Sequence, residues 1–198
     1  DGINSGVPFY YHPARQVFST QDTLTGGMQV PANGLESTFK LLNDIDLSNA
    51  EWTPIGSTSS PFKGVFDGNG KTIRNFKLSN VAYTGLFGDA SNAVIQKLII
   101  EGASGESITK TPVGIVAGRL TATTVDSVYI NNCSIASTNS SGTVGGLAGA
   151  VTNTKINDIH VSGSSISGTT KIGGVLGTTT GGGITNCSVT NTTVHGSS

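Results

Sequence analysis

Asp126 and Asp158 are the residues of this chain best suited by type to acid–base chemistry. Two carboxylates at one offset of a repeated scaffold would suit cleavage of a glycosidic bond or binding of Ca²⁺. Here the offsets differ, since Asp126 lies one residue after the apolar position Val125 and Asp158 two residues after Ile156. No third carboxylate joins them. His12, His160 and His195 are scattered, and none has a Ser or Cys partner by register. His160 follows the apolar Ile159, so its ring is expected to point outward into solvent. Asp67-Gly68-Asn69-Gly70 has the beginning of an acidic Ca²⁺ loop, but Lys71 follows it and the closing Glu is missing. The stretch reads as a tight turn joining two strands. Accordingly no catalytic, cofactor-binding or metal-binding residue is assigned.

Cys133 and Cys187 are the only cysteines. Cys187 falls at an apolar position equivalent to Val128 and Ile159, whereas Cys133 lies three residues after Ile130, at a different point of its unit. Stacked units about 4.8 Å apart would leave the pair nearly two coils from each other. That exceeds the roughly 7 Å Cα separation a disulfide tolerates, so two buried free thiols are expected. Thr121, Thr152 and Thr180 each precede their unit's leading apolar residue by four. With Thr123 and Thr154 they outline two columns, the second broken at Gly182. A flat Thr array of this kind can match ice, but outward Thr on a strand needs no special purpose. Asn132-Cys133-Ser134, Asn139-Ser140-Ser141, Asn186-Cys187-Ser188 and Asn191-Thr192-Thr193 fit the N-glycosylation pattern, which a Ser/Thr/Asn-rich chain also meets by chance.

The elements that must position these residues are repeats. Gly145-Gly146-Leu147-Ala148-Gly149 is echoed by Gly85-Leu86-Phe87-Gly88, Gly114-Ile115-Val116-Ala117-Gly118 and Gly173-Gly174-Val175-Leu176-Gly177. The closing glycines Gly88, Gly118, Gly149 and Gly177 lie 30, 31 and 28 residues apart. After each comes an apolar triplet with spacing i, i+3, i+5: Ile95/Leu98/Ile100, Val125/Val128/Ile130, Ile156/Ile159/Val161 and Ile184/Cys187/Val189. Its leading residues repeat the same 30, 31 and 28, so two landmarks keep one register. Ile135, Ile166 and Val194 supply a weaker third. Ile73/Phe76/Leu78 reads as an earlier copy only 22 residues before Ile95, which implies a shorter first unit.

A repeat unit cannot bury its own apolar face alone, so such units stack. After Asp67 no window sustains an amphipathic helix without Gly interruption, and short β-branched runs bounded by Gly, Ser, Thr and Asn dominate. Several short strands per unit of about 30 residues suit one coil of a parallel β-helix with stacked core ladders. The repeated glycines Gly85, Gly88, Gly114, Gly118, Gly145, Gly146, Gly149, Gly173, Gly174 and Gly177, with Leu147, are assigned a structural role as corner and wall. Residues 1–38 do not fit the repeat. Their aromatic cluster Phe9, Tyr10, Tyr11 and Phe18 suits a cap over an open solenoid end, or alternatively a binding segment. Asp44 and Asp46 suit edge-strand charges that oppose aggregation.

At 198 residues the chain is one domain, a β-solenoid over 39–198 behind that N-terminal segment. Only 12% of residues are charged and the formal net charge is −1, which gives no electrostatic case for nucleic acid or an anionic membrane. No run of about 18 apolar residues is present, so no membrane insertion is expected of this segment. No signal peptide is visible; Asp1 reads as the start of a mature or trimmed chain.

The sequence resembles the GLUG-motif proteins, whose repeat has the form G-G-L-apolar-G. Gly145–Gly149 matches it directly, Gly173–Gly177 is close, and in Val113–Gly118 the first glycine reads as replaced by Val113. Asp44–Leu47, Trp52–Gly56, Phe62–Gly70 and Gly85–Gly88 look like the segment leading into such repeats, so the resemblance covers roughly 39–194. It implies a right-handed parallel β-helix in a secreted or surface protein, often adhesin-like and bacterial. Repeats of this kind flank a peptidase domain in some secreted proteases, but no H-E-x-x-H occurs here. The expected function is a non-catalytic extracellular or cell-surface module, binding an unidentified glycan or protein or serving as a stalk. A polysaccharide-active enzyme, or an accessory part of one, is the alternative.

Overall fold

A computed structural model describes residues 35–197. They form a β-solenoid of about five turns, all-β and without helix, whose parallel coils repeat about every 29 residues. The chain enters through β1 (Thr38–Lys40), β2 (Ile45–Trp52) and β3 (Val65–Leu78). β4 (Phe87–Ser91), β5 (Val94–Glu101) and β6 (Ser104–Ile108) make the next coil. Then follow β7 (Val113–Gly114), β8 (Ala117–Thr121), β9 (Thr124–Asn131) and β10 (Ser134–Ser137). β11 (Thr143–Gly145), β12 (Ala148–Ser162) and β13 (Ser165–Gly168) form the fourth coil. The last described one comprises β14 (Lys171–Gly173), β15 (Leu176–Thr190) and β16 (Thr193–Gly196). Every pairing between these strands is parallel, one coil to the next.

The register follows the two sequence landmarks. Ile95, Val125, Ile156 and Ile184 stack in one column, and Leu98, Val128, Ile159 and Cys187 in another. Gly145 pairs with Gly114 and with Gly173. The i, i+3, i+5 spacing has a backbone cause. In a flat strand, residues three apart face opposite sides. Here Lys97, Ser127, Asp158 and Asn186 each hold a left-handed φ of 51–56° between the first two apolar positions, which turns both inward. Left-handed corner residues recur at Asn92, Ala122, Asn153 and Gly181, and again at Asn75, Gly102, Asn132, Gly163 and Asn191. The core changes character along the axis. Phe39, Phe62, Phe66 and Phe87 cluster at ring distances of 5.0–5.9 Å in the early coils, and aliphatic ladders fill the later ones.

Several expectations are corrected. Ile73/Phe76/Leu78 is not a copy of Ile95/Leu98/Ile100, and the first unit is not shorter. Phe66 stacks on Ile95 and Ile73 on Ile100, while Phe76 and Leu78 lie past the Asn75 corner. Asp67–Gly70 is not a turn between strands but a bulge inside continuous β3, where the pairing shifts between Asp67 and Lys71. In the second GLUG-like copy Val113 pairs with Val144, so the residue replacing a glycine is Ile115, which fills buried space at the Gly146 position. The repeat glycines act as wall and not as left-handed corner: none of them has a positive φ. A Cβ on Gly145 would lie 2.1 Å from the Ala148 carbonyl oxygen, and one on Gly149 2.4 Å from the Val113 nitrogen. The solenoid is already formed before residue 38, since Lys63 donates to the carbonyl of Leu35 and Val65 to that of Ser37. The aromatic cluster at residues 9–18 lies outside the described residues.

Candidate binding face

The outward side of β9, β12 and β15 carries the densest side-chain network of the described residues. Parallel register builds it in columns. Gln96, Asp126, Asn157 and Thr185 form one, and Ile99, Tyr129, His160 and Ser188 another. Between them runs the left-handed column Lys97, Ser127, Asp158 and Asn186. Asp126 accepts from the Asn157 amide at 2.6 Å and from the Ser127 hydroxyl at 3.0 Å. Asp158 accepts from the Tyr129 hydroxyl at 3.2 Å and lies 2.9 Å from His160 Nε2. His160 Nδ1 meets Ser188 Oγ at 2.6 Å, and the His160 ring stacks on Tyr129 at 5.0 Å and 17°. Asn157 Oδ1 accepts in turn from Thr185 and Asn186.

A carboxylate only accepts, so Nε2 carries the proton it shares with Asp158. In the neutral ring Nδ1 then accepts from the Ser188 hydroxyl. His160 thus points outward as expected, but it is not simply solvated. The structure also corrects the expectation that no Ser partner exists by register: Ser188 pairs directly with His160 across one coil. The signal was present in the 28-residue spacing of this last interval, which carries 160 onto 188. His195 is exposed on β16 opposite Ser167, and His12 lies outside the described residues.

Electrostatics follow from these contacts. The His160 ring, then the Ser127 hydroxyl, hold the Asp158 carboxyl below its usual range, and the Asp158 acceptor raises the Tyr129 phenol. At Asp46 the Ser48 amide and the Asn75 side chain act in the same direction. A carboxyl depressed in the fold stabilises it above its unfolded pKa and loses that contribution as pH falls through its folded value. The urea midpoint is therefore expected to fall as pH drops below the ordinary carboxylate range of about 4. In Asp158→Asn that drop should be smaller, and an identical pH profile would count against the network.

The other sequence candidates separate. Asp126 and Asp158 occupy neighbouring columns, and Ser127, which donates to Asp126, stands in the column of Asp158. Thr121, Thr152 and Thr180 align, continued by Ser91. The second Thr column is internal: Thr123 and Thr154 are buried, each donating to the carbonyl two residues earlier and accepting from the coil before. No flat double Thr array exists on this side. The same corner arrangement explains three glycosylation-like triplets. Asn132, Asn186 and Asn191 hold left-handed φ, and the residue after each turns inward, as Cys133 does above Ala103 and below Ser164. Both cysteines are free; Cys133 is buried, and burial pushes its thiol up to about 12. Cys187 is only half-buried, contrary to expectation, because no described strand covers its coil. Asp46 and Asp44 are also more than edge charges, accepting from Ser48 and Asn75 and from Thr72 and Arg74.

Among the described residues no group of three or more His, Cys, Asp or Glu side chains could hold a metal ion, and no helix is long and apolar enough to cross a membrane. Compared with protein-family models, curated proteins and solved structures, the chain has no significant match.

Proposed function

We propose that this chain is a non-catalytic β-solenoid module of the cell surface or extracellular space, and that its β9–β12–β15 face binds glycan. Membership of the GLUG-motif family and an adhesin-like role belong to the same proposal. The observation that carries it is a pair of adjacent outward hydrogen-bonded groups, Asn157–Asp126–Ser127 and Tyr129–Asp158–His160–Ser188. Sugar hydroxyls donate and accept at fixed spacing, and this network offers carboxylate, amide, hydroxyl and imidazole groups already oriented by strand register. Holding them in place before binding reduces the ordering cost a ligand must overcome.

One observation favours a second reading. Asp158, His160 and Ser188 follow the order acid, imidazole, hydroxyl, which is the wiring of an activated nucleophile. Against it, Asp158 is shared with Tyr129, and His160 is 38% exposed on an open strand face. Water there competes with the stabilisation an oxyanion needs. A glycan array followed by titration of the best ligand tests both readings. Tyr129→Ala and His160→Ala are expected to weaken binding about tenfold, the loss of one or two hydrogen bonds. The bound glycan should remain uncleaved. Unchanged affinity in both variants would refute the binding face; turnover abolished by Asp158→Ala or Asp126→Ala would establish an enzyme.

A further inference from the structure

Nearly every polar hydrogen of the two groups on the β9–β12–β15 face is already committed inside the protein. The Ser127 hydroxyl and the Asn157 amide donate to Asp126, and the Tyr129 hydroxyl donates to Asp158. His160 gives its Nε2 proton to Asp158, and in the neutral ring Nδ1 takes the Ser188 hydroxyl. Thr185 and Asn186 donate to the Asn157 side-chain oxygen. The hydroxyls of Ser127, Tyr129, Thr185 and Ser188 and the imidazole thus have no hydrogen left to point outward. Only the second side-chain N–H of Asn157 and of Asn186 is spare. Acceptors, by contrast, are in surplus. A carboxylate offers about four lone-pair sites, and Asp126 and Asp158 each accept from only two donors here. Both are half-buried, so the unused lone pairs reach solvent.

Among the described residues neither carboxylate forms an ion pair with Lys or Arg. Lys97, one coil before Ser127, and Lys155, two residues before Asn157, stand at the margin and belong to neither group. We propose that this face selects a basic glycan, one whose amino sugars carry free amines, over neutral and acidic ones. The proposal rests on the glycan reading above and narrows it. A protonated amine brings three donors, a positive charge and no acceptor, which complements carboxylates with lone pairs to spare. Its hydrogen bonds to them are charge-assisted. N-acetylation leaves a single N–H and adds a carbonyl that has only the two spare amide hydrogens to meet. An acidic sugar sets acceptors and like charge against Asp126 and Asp158. These two stand on adjacent coils, so successive amines of one chain can engage both.

Isothermal titration of the 198-residue chain with three oligosaccharides of equal length is the test: glucosamine with free amines, its N-acetylated counterpart, and galacturonic acid. The glucosamine oligomer is expected to bind about tenfold tighter than the N-acetylated one, the worth of one charge-assisted hydrogen bond. The galacturonic acid oligomer should not bind measurably, and Asp126→Asn should narrow the preference for the amine several-fold. Equal affinity for the first two, an unchanged preference in folded Asp126→Asn, or tighter binding of the acidic oligomer through Lys97 and Lys155 would each overturn the selection. Those results leave a glycan-binding face in place. No binding by any of the three overturns the selection as well, and the glycan array then decides whether the wider reading survives. An oligolysine of equal charge that binds as tightly as the glucosamine oligomer would reduce the effect to attraction between charges and also count against it. Should Asp126→Asn fail to fold, the ranking in the wild-type chain is decisive by itself.

Discussion

Leu147→Ala is expected to lower the unfolding free energy by about 2–5 kcal/mol, the range for deleting a large buried side chain. Leu147 is fully buried in the wall where each coil turns back beside its predecessor. The cost depends on whether the surroundings can collapse into the space left behind. Here they are pinned, because the Leu147 amide donates to the Val175 carbonyl at 2.8 Å and its own carbonyl accepts from Val116 and Ala117 at 3.0 Å each. Both neighbouring coils are thus fixed at the site, so the value should lie toward the upper end. Urea denaturation checks it, with the slope unchanged if only the folded state is affected. A neutral substitution would mean that Leu147 is not core and that the register is misplaced.

Gly145→Ala should be comparably severe, at about 3 kcal/mol or more, although it adds a single methyl group. That methyl would lie 2.1 Å from the Ala148 oxygen, 2.6 Å from the Gly177 nitrogen and 2.8 Å from the Val175 oxygen. All three are backbone atoms, so no side chain can swing aside. Gly183→Ala is the matching control. Its Cβ would meet nothing within 4 Å and its φ is not positive, so the change should stay within about 0.5 kcal/mol. Thermal or urea melts of the two variants side by side separate close wall packing from a general cost of losing glycine.

The coil and its register were legible in the sequence because two features of different physical origin repeat together. Glycine marks where backbone approaches backbone, and the apolar triplet marks where side chains meet the axis. Where only one feature was present, the reading slipped. Ile73/Phe76/Leu78 imitates the triplet but straddles the Asn75 corner, and the true partner Phe66 is disguised by the bulge at 68–70, which adds two residues. The inward turn of Thr123 and Thr154 depends on left-handed φ at the preceding Ala122 and Asn153, which residue type signals weakly at an alanine. The candidate face was harder still. Asp126 and Asp158 looked unrelated because they were compared at equal offsets, whereas they stand in neighbouring columns of one face, with Ser127, the donor to Asp126, in the Asp158 column.

The face itself is tested most directly by ring-nitrogen NMR of His160, with and without the bound oligosaccharide. In its neutral form the ring should appear as the Nε2–H tautomer, with Nδ1 shifting in Ser188→Ala because the partner hydroxyl one coil away is gone. Saturating oligosaccharide should perturb His160 and leave His195 unchanged. A His160 ring indifferent both to Ser188→Ala and to the oligosaccharide would contradict the network and the binding face built on it.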